Sequence, residues 1–187
     1  MNEEVKEIGN TLELDLSSQA SIAQINKKLK NKIKLLLRDI SADDVENNKH
    51  RGVLIVLGEF VRFDYKVPGM RQIGSNPLIG TATYITDKDI KEKLDSLLSE
   101  DGAMLIDTTG QIMAAQVYLQ VDHAEAQVEE ECSTRHISAA SFSMHEHIVA
   151  CFTMSEETSK VREYIDGKQE FVFDPHIKEE DDDENEI

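Results

Sequence analysis

An unbroken apolar run, Val53–Leu57 between two glycines, constrains the fold of this 187-residue chain more than any other feature. A run of this kind, rich in β-branched residues and without polar alternation, is typical of a strand buried on both faces of a sheet. The run is also much shorter than the roughly 20 apolar residues that a membrane-spanning helix requires. We therefore expect a globular domain that contains this strand, and no membrane span.

Two pairs of apolar segments separated by tight turns predict antiparallel hairpins. The first hairpin joins residues 104–106 to residues 111–119, and the second joins residues 161–165 to residues 169–173 through Asp166-Gly167. An Asp-Gly dipeptide between apolar strands is the usual signal for a two-residue type I′ turn.

Helical periodicity alternates with these strands. Thr86 begins a capping-box pattern ahead of an apolar stripe, which predicts a helix that ends near Glu100. Residues 134–144 are compatible with a second, short helix. Residues 147–154 are strand-like, whereas residues 67–80 hold most of the Pro and Gly turn signals and are interpreted as a loop. This mixture predicts an α/β fold, with a mixed twisted β-sheet flanked by helices.

Residues 1–50 are predicted to form an N-terminal helical appendage to a domain of residues 51–175. Within the appendage, the alternation of residues 11–16 indicates a short strand, and residues 41–49 are polar enough for a linker. Residues 22–40 repeat an apolar side chain every three or four positions, which predicts an amphipathic helix. We favour a helix that packs on the domain's own sheet; the alternative is a regulatory or oligomerising helix.

The chain carries 37 acidic and 20 basic side chains, a formal net charge of −17. Coating of nucleic acid requires a basic face, so no nucleic-acid partner is expected, although a local pocket for a nucleotide is compatible with this charge. Residues 176–187 are predicted to be a disordered acidic tail. Two cysteines are too few for a disulfide scaffold, and the N-terminus has no secretory pattern, so we expect a cytoplasmic location.

Three short polar groups interrupt the apolar framework. Asp101-Gly102-Ala103 places a carboxylate, suited to a divalent metal or a hydroxyl proton, beside two residues that permit close approach of a ligand. Ser133–His136 gathers donors for an anion at a predicted helix start, and Ser155–Thr158 offers hydroxyls and carboxylates to phosphate and a hard cation. The alternatives are, in the same order, a turn before a strand, a helix cap and a solvated turn.

The order and spacing of these groups resemble the diadenylate cyclase domain family, whose members make cyclic di-AMP from two ATP. Asp101-Gly-Ala is similar to the family's DGA motif, Thr134-Arg-His to most of its GTRHR motif, and Ser155-Glu-Glu-Thr to its SEET motif. Gly52–Gly58 is similar to the first core strand of the family, and Tyr118-Leu119 to the residues before its variable loop. The resemblance covers roughly residues 50–173 and implies diadenylate cyclase activity.

The resemblance also implies a role for each matching residue. The implied catalytic residues are Asp101, which acts at the ribose 3′-hydroxyl, and Arg135 and His136, which hold the phosphates. The implied ATP-binding residues are Gly102, Ala103, Leu119, Thr134, Ser155 and Glu156. Leu119 is implied to contact adenine through its backbone.

The implied cofactor is Mg²⁺ or Mn²⁺, with Asp101 and Glu157 as metal ligands. ATP is the implied substrate, and the implied assembly is a homo-oligomer in which two sites face each other. This arrangement follows from the family's reaction, because the hydroxyl of one ATP attacks the α-phosphate of the other and pyrophosphate leaves.

Three positions depart from the family's motifs. Ile137 stands where the RHR triplet has its second arginine, Ser133 replaces the glycine before the threonine, and Glu100 precedes the DGA motif where histidine is common. Loss of one charge-assisted contact to a polyphosphate costs about 1.5–3 kcal/mol. The alternative function is therefore a nucleotide-binding sensor that has lost catalysis; a third is a scaffold that binds partners through helix 19–40 and the acidic tail.

Overall fold

The computed structural model describes residues 3–60, 69–121, 128 and 133–177. The elements in this part of the chain are, in order, α1 Glu3–Glu46, β1 Val53–Gly58, β2 Met70–Gln72, α2 Ile90–Leu97, β3 Ala103–Asp107, β4 Ile112–Leu119, α3 Thr134–Phe142, β5 Ile148–Met154, β6 Val161–Ile165 and β7 Lys168–Phe173. The strands form one sheet in the order β2-β4-β3-β1-β5-β6-β7. β1 and β3 are parallel and the other neighbours are antiparallel. The predicted α/β fold with a mixed sheet flanked by helices is confirmed.

β1 lies at the centre of the sheet and is buried along its whole length, as its apolar run predicts. Val53, Ile55 and Leu57 belong to a core cluster that also contains side chains of α1 and α2. Leu54 and Val56 belong to a second cluster that contains side chains of α3. Successive strand residues point to opposite faces, so each face of β1 has its own helical cover.

The helix predicted at residues 22–40 is part of a longer helix, α1, and its second half packs on the sheet. The residues that contact the core are Leu29, Ile33, Leu36, Leu37 and Ile40. α1 contacts β5 and β6. The interpretation of this segment as a helix packed on its own sheet is confirmed for these residues.

Two local predictions for this region are wrong. Residues 11–16 are helical, because a six-residue alternation of Leu with acidic residues is too short to outweigh their helix propensity beside an established helix. The predicted linker 41–49 is helical as far as Glu46. Its polar side chains have buried partners: Ser41 Oγ donates to the Ser159 carbonyl at 2.6 Å, and the Asp44 carboxylate accepts from Arg51.

Two further boundaries differ from prediction, and both hairpins are confirmed. α2 begins at Ile90 rather than after Thr86. Residues 84–87 form a turn instead, in which the Asp87 carboxylate accepts from the Tyr84 backbone N–H and the Asp87 N–H donates to the Tyr84 carbonyl. The loop at 67–80 contains β2, a short edge strand that pairs with β4. Both residues of the second turn have positive φ, 49° at Asp166 and 76° at Gly167, as a type I′ turn requires.

Among the described residues, no helix is long and apolar enough to cross a membrane. The predicted acidic tail lies, from residue 178 onward, outside the described residues. The boundaries of the appendage and the domain stay a prediction.

Candidate active site

One edge of the sheet collects residues from the first and third polar groups. Val53 pairs with Met154 on one side of β1, and Ile55 pairs with Met104 on the other. Continuing the register of β1 with β5 by one residue places Gly52 opposite Ser155. Asp101 lies two residues before β3, the parallel neighbour on the other side of β1, so all three residues lie at the same edge of the sheet. We call this edge the site edge.

The site edge extends to Leu119 on the far side of β3. β4 runs antiparallel to β3 with Ala103 opposite Val117, so Leu119 leaves the sheet at the same edge as Asp101. The Leu119 side chain is buried in the core cluster below α3, which leaves its backbone as the part available to a ligand. This geometry fits the implied backbone contact to adenine.

α3 carries the second polar group to the same edge. A cleft of about 560 Å³ is lined by His50, Ser133, Arg135, His136, Ser155, Glu156 and Glu157. We call it the α3 cleft. Its volume falls within the range of small-molecule sites. It joins Ser133, Arg135 and His136 of the second polar group to Ser155–Glu157 of the third, whereas Thr134 and Thr158 do not line it. Asp101 and Leu119 do not line it and lie further along the site edge.

Arg135 lies across the start of β1. A Cβ atom at Gly52 would overlap the Arg135 guanidinium, so only glycine leaves room for this side chain at the site edge. Among residues 3–60, 69–121 and 133–177, no carboxylate forms an ion pair with Arg135. The cleft therefore contains a cation that is available to an anionic ligand, as the second polar group predicts.

His136 is held inside the wall of the α3 cleft. Its side chain is 2% exposed, its Nδ1 lies 3.0 Å from Ser133 Oγ and its Nε2 lies 3.4 Å from Arg162 Nη1. Burial, and then the charges of Arg162 and Arg135, lower the pKa of His136 to about 4. The imidazole is therefore neutral at pH 7 and contributes hydrogen bonds rather than positive charge.

Gly102 is required by the fold around Asp101. Its φ is +109°, and a Cβ there would come within 2.9 Å of the Gln116 backbone. Gln116 itself has φ 60°, at an irregularity in the pairing of β3 with β4. Gly102 thus permits close approach of a bulged strand, and Asp101 stays exposed at the site edge. A non-glycine residue with positive φ beside a candidate catalytic group is typical of functional sites.

His50 is a cleft residue that the sequence patterns did not indicate. Its Nδ1 lies 3.3 Å from the carbonyl oxygen of Glu156, so it connects the segment after α1 to the third polar group. A carbonyl accepts only, so Nδ1 carries the hydrogen and Nε2 is the nitrogen left for a ligand. Its position just before β1 is the one sequence feature that relates it to the cleft, and this position is informative only once β1 and β5 are known to be neighbours.

Within the described residues, no group of three or more His, Cys, Asp or Glu side chains converges as a metal site. Mg²⁺ is commonly bound by one or two carboxylates together with phosphate oxygens of the substrate. Asp101 at the site edge and Glu157 in the α3 cleft are both exposed, and each is a carboxylate of the kind that this arrangement uses.

Comparison with known proteins identifies the family. The sequence profile of the family described as DisA bacterial checkpoint controller nucleotide-binding, the DAC domain, matches residues 40–169. The chain belongs to this family. The matched DAC region begins within α1 and contains every residue of the site edge and the α3 cleft.

The DAC assignment agrees with individual relatives. The diadenylate cyclase of Methanocaldococcus jannaschii is 32% identical over 100 residues, which are 54% of this chain and 32% of that protein. The chain thus matches about a third of this curated relative. A double-cysteine variant of DacA from Staphylococcus aureus has the same fold, with a TM-score of 0.50 and 22% identity over 76% of this chain and 85% of its own.

Proposed function

We propose that this chain is a diadenylate cyclase, a nucleotidyltransferase that condenses two ATP into cyclic di-AMP and releases pyrophosphate. The observation that carries the proposal is the α3 cleft, which Arg135 lines together with Ser155 and Glu157. Among the residues that the structure describes, no carboxylate forms an ion pair with Arg135. Asp101 and Leu119 lie further along the same edge, and we assign them to the sugar and the base. Family membership and the curated relative support this assignment.

The proposed roles follow from the chemistry of each group. Asp101 accepts a hydrogen bond from the ribose 3′-hydroxyl and takes its proton as the oxygen attacks an α-phosphate. The bond from that phosphorus to the bridging oxygen breaks, and pyrophosphate carries away the electron pair. Arg135 and the first N–H groups of α3 hold the phosphates, and His136 acts as a neutral hydrogen-bonding group.

Asp101 and Glu157 would hold Mg²⁺ or Mn²⁺, and the metal would supply positive charge to neutralise the phosphates. The remaining residues position the nucleotide: Thr134, Ser155 and Glu156 beside the phosphates, and Gly102 and Ala103 under the nucleotide. Positioning and charge neutralisation account for most catalysis in phosphoryl transfer.

The reaction requires two facing sites, so we propose a homo-oligomer with opposed site edges. Asp101 is exposed and lies outside the cleft that contains Arg135. This separation suits an arrangement in which Asp101 acts on one nucleotide while Arg135 holds the phosphates of another.

The test is turnover of ATP by the purified protein with Mg²⁺ or Mn²⁺, with cyclic di-AMP measured by chromatography. Asp101→Asn is expected to abolish product without changing the melting temperature, because the side chain is exposed and isosteric. Asp89→Asn is the matched control, since Asp89 is an exposed carboxylate at the start of α2 that makes no capping hydrogen bond, and its exposed ion pair with Lys93 contributes little to stability. Absence of product from the wild type with both metals and across protein concentrations would reject the proposal.

A second candidate is a nucleotide-binding sensor without turnover, and the half-buried Ile137 next to His136 favours it. A ligand that binds only the folded state at a hundred times its dissociation constant adds about 2.7 kcal/mol of stability. For a chain of this size that corresponds to a rise in melting temperature of about 5–10 °C. A sensor would show this shift with ATP or cyclic di-AMP and form no product.

A further inference from the structure

Three polar side chains form a hydrogen-bonded chain that ends at the α3 cleft. Nη1 of Arg162 lies 3.4 Å from Nε2 of His136. Both residues are buried, with 5% of Arg162 and 2% of His136 exposed. Nδ1 of His136 lies 3.0 Å from Oγ of Ser133, which is exposed and lines the cleft. The chain therefore runs from the β6 core to the cleft surface.

The direction of these hydrogen bonds is fixed by the donors. A guanidinium has no acceptor, so Nε2 of His136 must accept from Arg162. A neutral imidazole then carries its hydrogen on Nδ1 and donates it to Ser133 Oγ. Because Oγ accepts from His136, the hydrogen of its own hydroxyl is left for another acceptor.

The Ser133 hydroxyl is not occupied in capping α3. Ser133 is the N-cap residue with extended backbone, but its side chain makes no hydrogen bond to a backbone N–H of the helix. A serine at this position ordinarily accepts from the second or third N–H. Its hydroxyl is instead bound by His136 at the cleft wall, beside the Arg135 cation.

We propose that Ser133 is a specificity-determining residue, which donates its hydroxyl hydrogen to a phosphate oxygen of the bound nucleotide and is positioned by His136 and Arg162. This inference rests on the proposed function, because it requires a phosphate in the α3 cleft. Arg135 supplies charge to that phosphate, and Ser133 supplies a directed neutral donor.

The test compares binding of α,β-methylene-ATP with binding of adenosine by calorimetry, in the presence of Mg²⁺. The methylene bridge prevents pyrophosphate departure, so binding is measured without turnover. Ser133→Ala is expected to weaken the nucleotide about tenfold, equivalent to about 1.4 kcal/mol, and to leave adenosine unchanged. Ser133→Thr keeps the hydroxyl and should restore most of the affinity, and Thr109→Ala, an exposed hydroxyl in the β3–β4 turn, should have no effect.

Equal affinity of wild type and Ser133→Ala for α,β-methylene-ATP would overturn the role of Ser133 and leave the proposed function standing. Equal weakening of both ligands would also overturn it, because the contact would then not be to phosphate. Failure of the wild type to bind the nucleotide at all would reject the proposed function and this inference together.

A measurement without ligand tests the positioning step separately. The ¹⁵N shifts of the His136 side chain report which ring nitrogen carries the hydrogen, and Nδ1–H is expected. A hydrogen on Nε2 would overturn the inference, because Ser133 would then have to donate to His136 rather than to the nucleotide.

Discussion

The buried ion pair between Arg51 and Asp44 offers the sharpest test of how α1 is attached to the sheet. Arg51 donates to both carboxylate oxygens of Asp44 at 2.6 Å, through Nε and Nη2. The Asp44 side chain is 0% exposed and that of Arg51 is 13% exposed. The hydrogen bond to Asp44 raises the pKa of Arg51 above its ordinary value despite burial, so the guanidinium is charged at every accessible pH.

We expect Arg51→Ala to be strongly destabilising, because Asp44 would keep its burial and lose its counter-charge. Removal of one partner of a buried pair costs about 3–5 kcal/mol. At about 2–4 °C per kcal/mol for a chain of this length, the melting temperature should fall by about 6–20 °C. Urea unfolding followed by circular dichroism gives the free energy of unfolding directly.

Lys91→Ala is the matched control. Lys91 Nζ lies 2.6 Å from Asp43 Oδ2 and joins α2 to α1, the same distance as in the Arg51–Asp44 pair, but its side chains are 46% and 50% exposed. Exposed ion pairs contribute about 1 kcal/mol or less. The double variant Asp44→Ala/Arg51→Ala should be less destabilised than the sum of its single variants. Arg51 also pairs with the exposed Asp95 at 2.7 Å, and an exposed carboxylate adds little to the loss. Similar losses for Arg51→Ala and Lys91→Ala would refute the reasoning, because only Arg51→Ala leaves a fully buried carboxylate without its counter-charge.

Two further predictions concern the α3 cleft. Gly52→Ala should displace the Arg135 guanidinium, because the added methyl group would overlap it. ATP binding should then weaken at least about tenfold. The melting temperature should change little, because the guanidinium is the flexible end of a long side chain. Unchanged ATP affinity by calorimetry would contradict this prediction. The low pKa of His136, about 4, means that the unfolded chain binds a proton below pH 6.5 that the folded chain does not, so stability should fall as the pH falls from 6.5 towards 4. Between pH 7 and pH 5 this effect should lower the free energy of unfolding by about 2 kcal/mol. The urea midpoint of His136→Asn should not show this fall. Parallel pH profiles of the midpoint for the variant and the wild type would contradict the low pKa of His136.

Local sequence patterns were sufficient for the strands that now carry the site. The apolar run of β1, the alternation of the hairpins and the Asp166-Gly167 turn each depend on neighbouring residues, and each is found as predicted. That Arg135 and His136 share a pocket with Ser155 and Glu156 was implied by the resemblance alone, and Thr134, implied with them, does not line the cleft.

Features that depend on distant residues could not be predicted. Ser41 and Asp44 are polar and read as a linker, but their partners lie beyond the helix, in Ser159 and Arg51. The bulge at Gln116 lies against Gly102, just before the neighbouring strand β3, and no local sequence pattern predicts a positive φ at a glutamine. His50 likewise joins the cleft only because β1 and β5 are neighbours.

The second half of α1 decides where the chain can be shortened for preparation of a minimal fragment. A fragment starting at Arg51 would expose the sheet face that Ile33 and Leu37 cover. It would also leave the Arg51 guanidinium without the Asp44 carboxylate, and it would remove His50 from the cleft wall. Such a product would be prone to aggregate, and its inactivity would say nothing about catalysis. Cutting ahead of Leu29 instead keeps the protective helical turns and every cleft contact in the purified fragment.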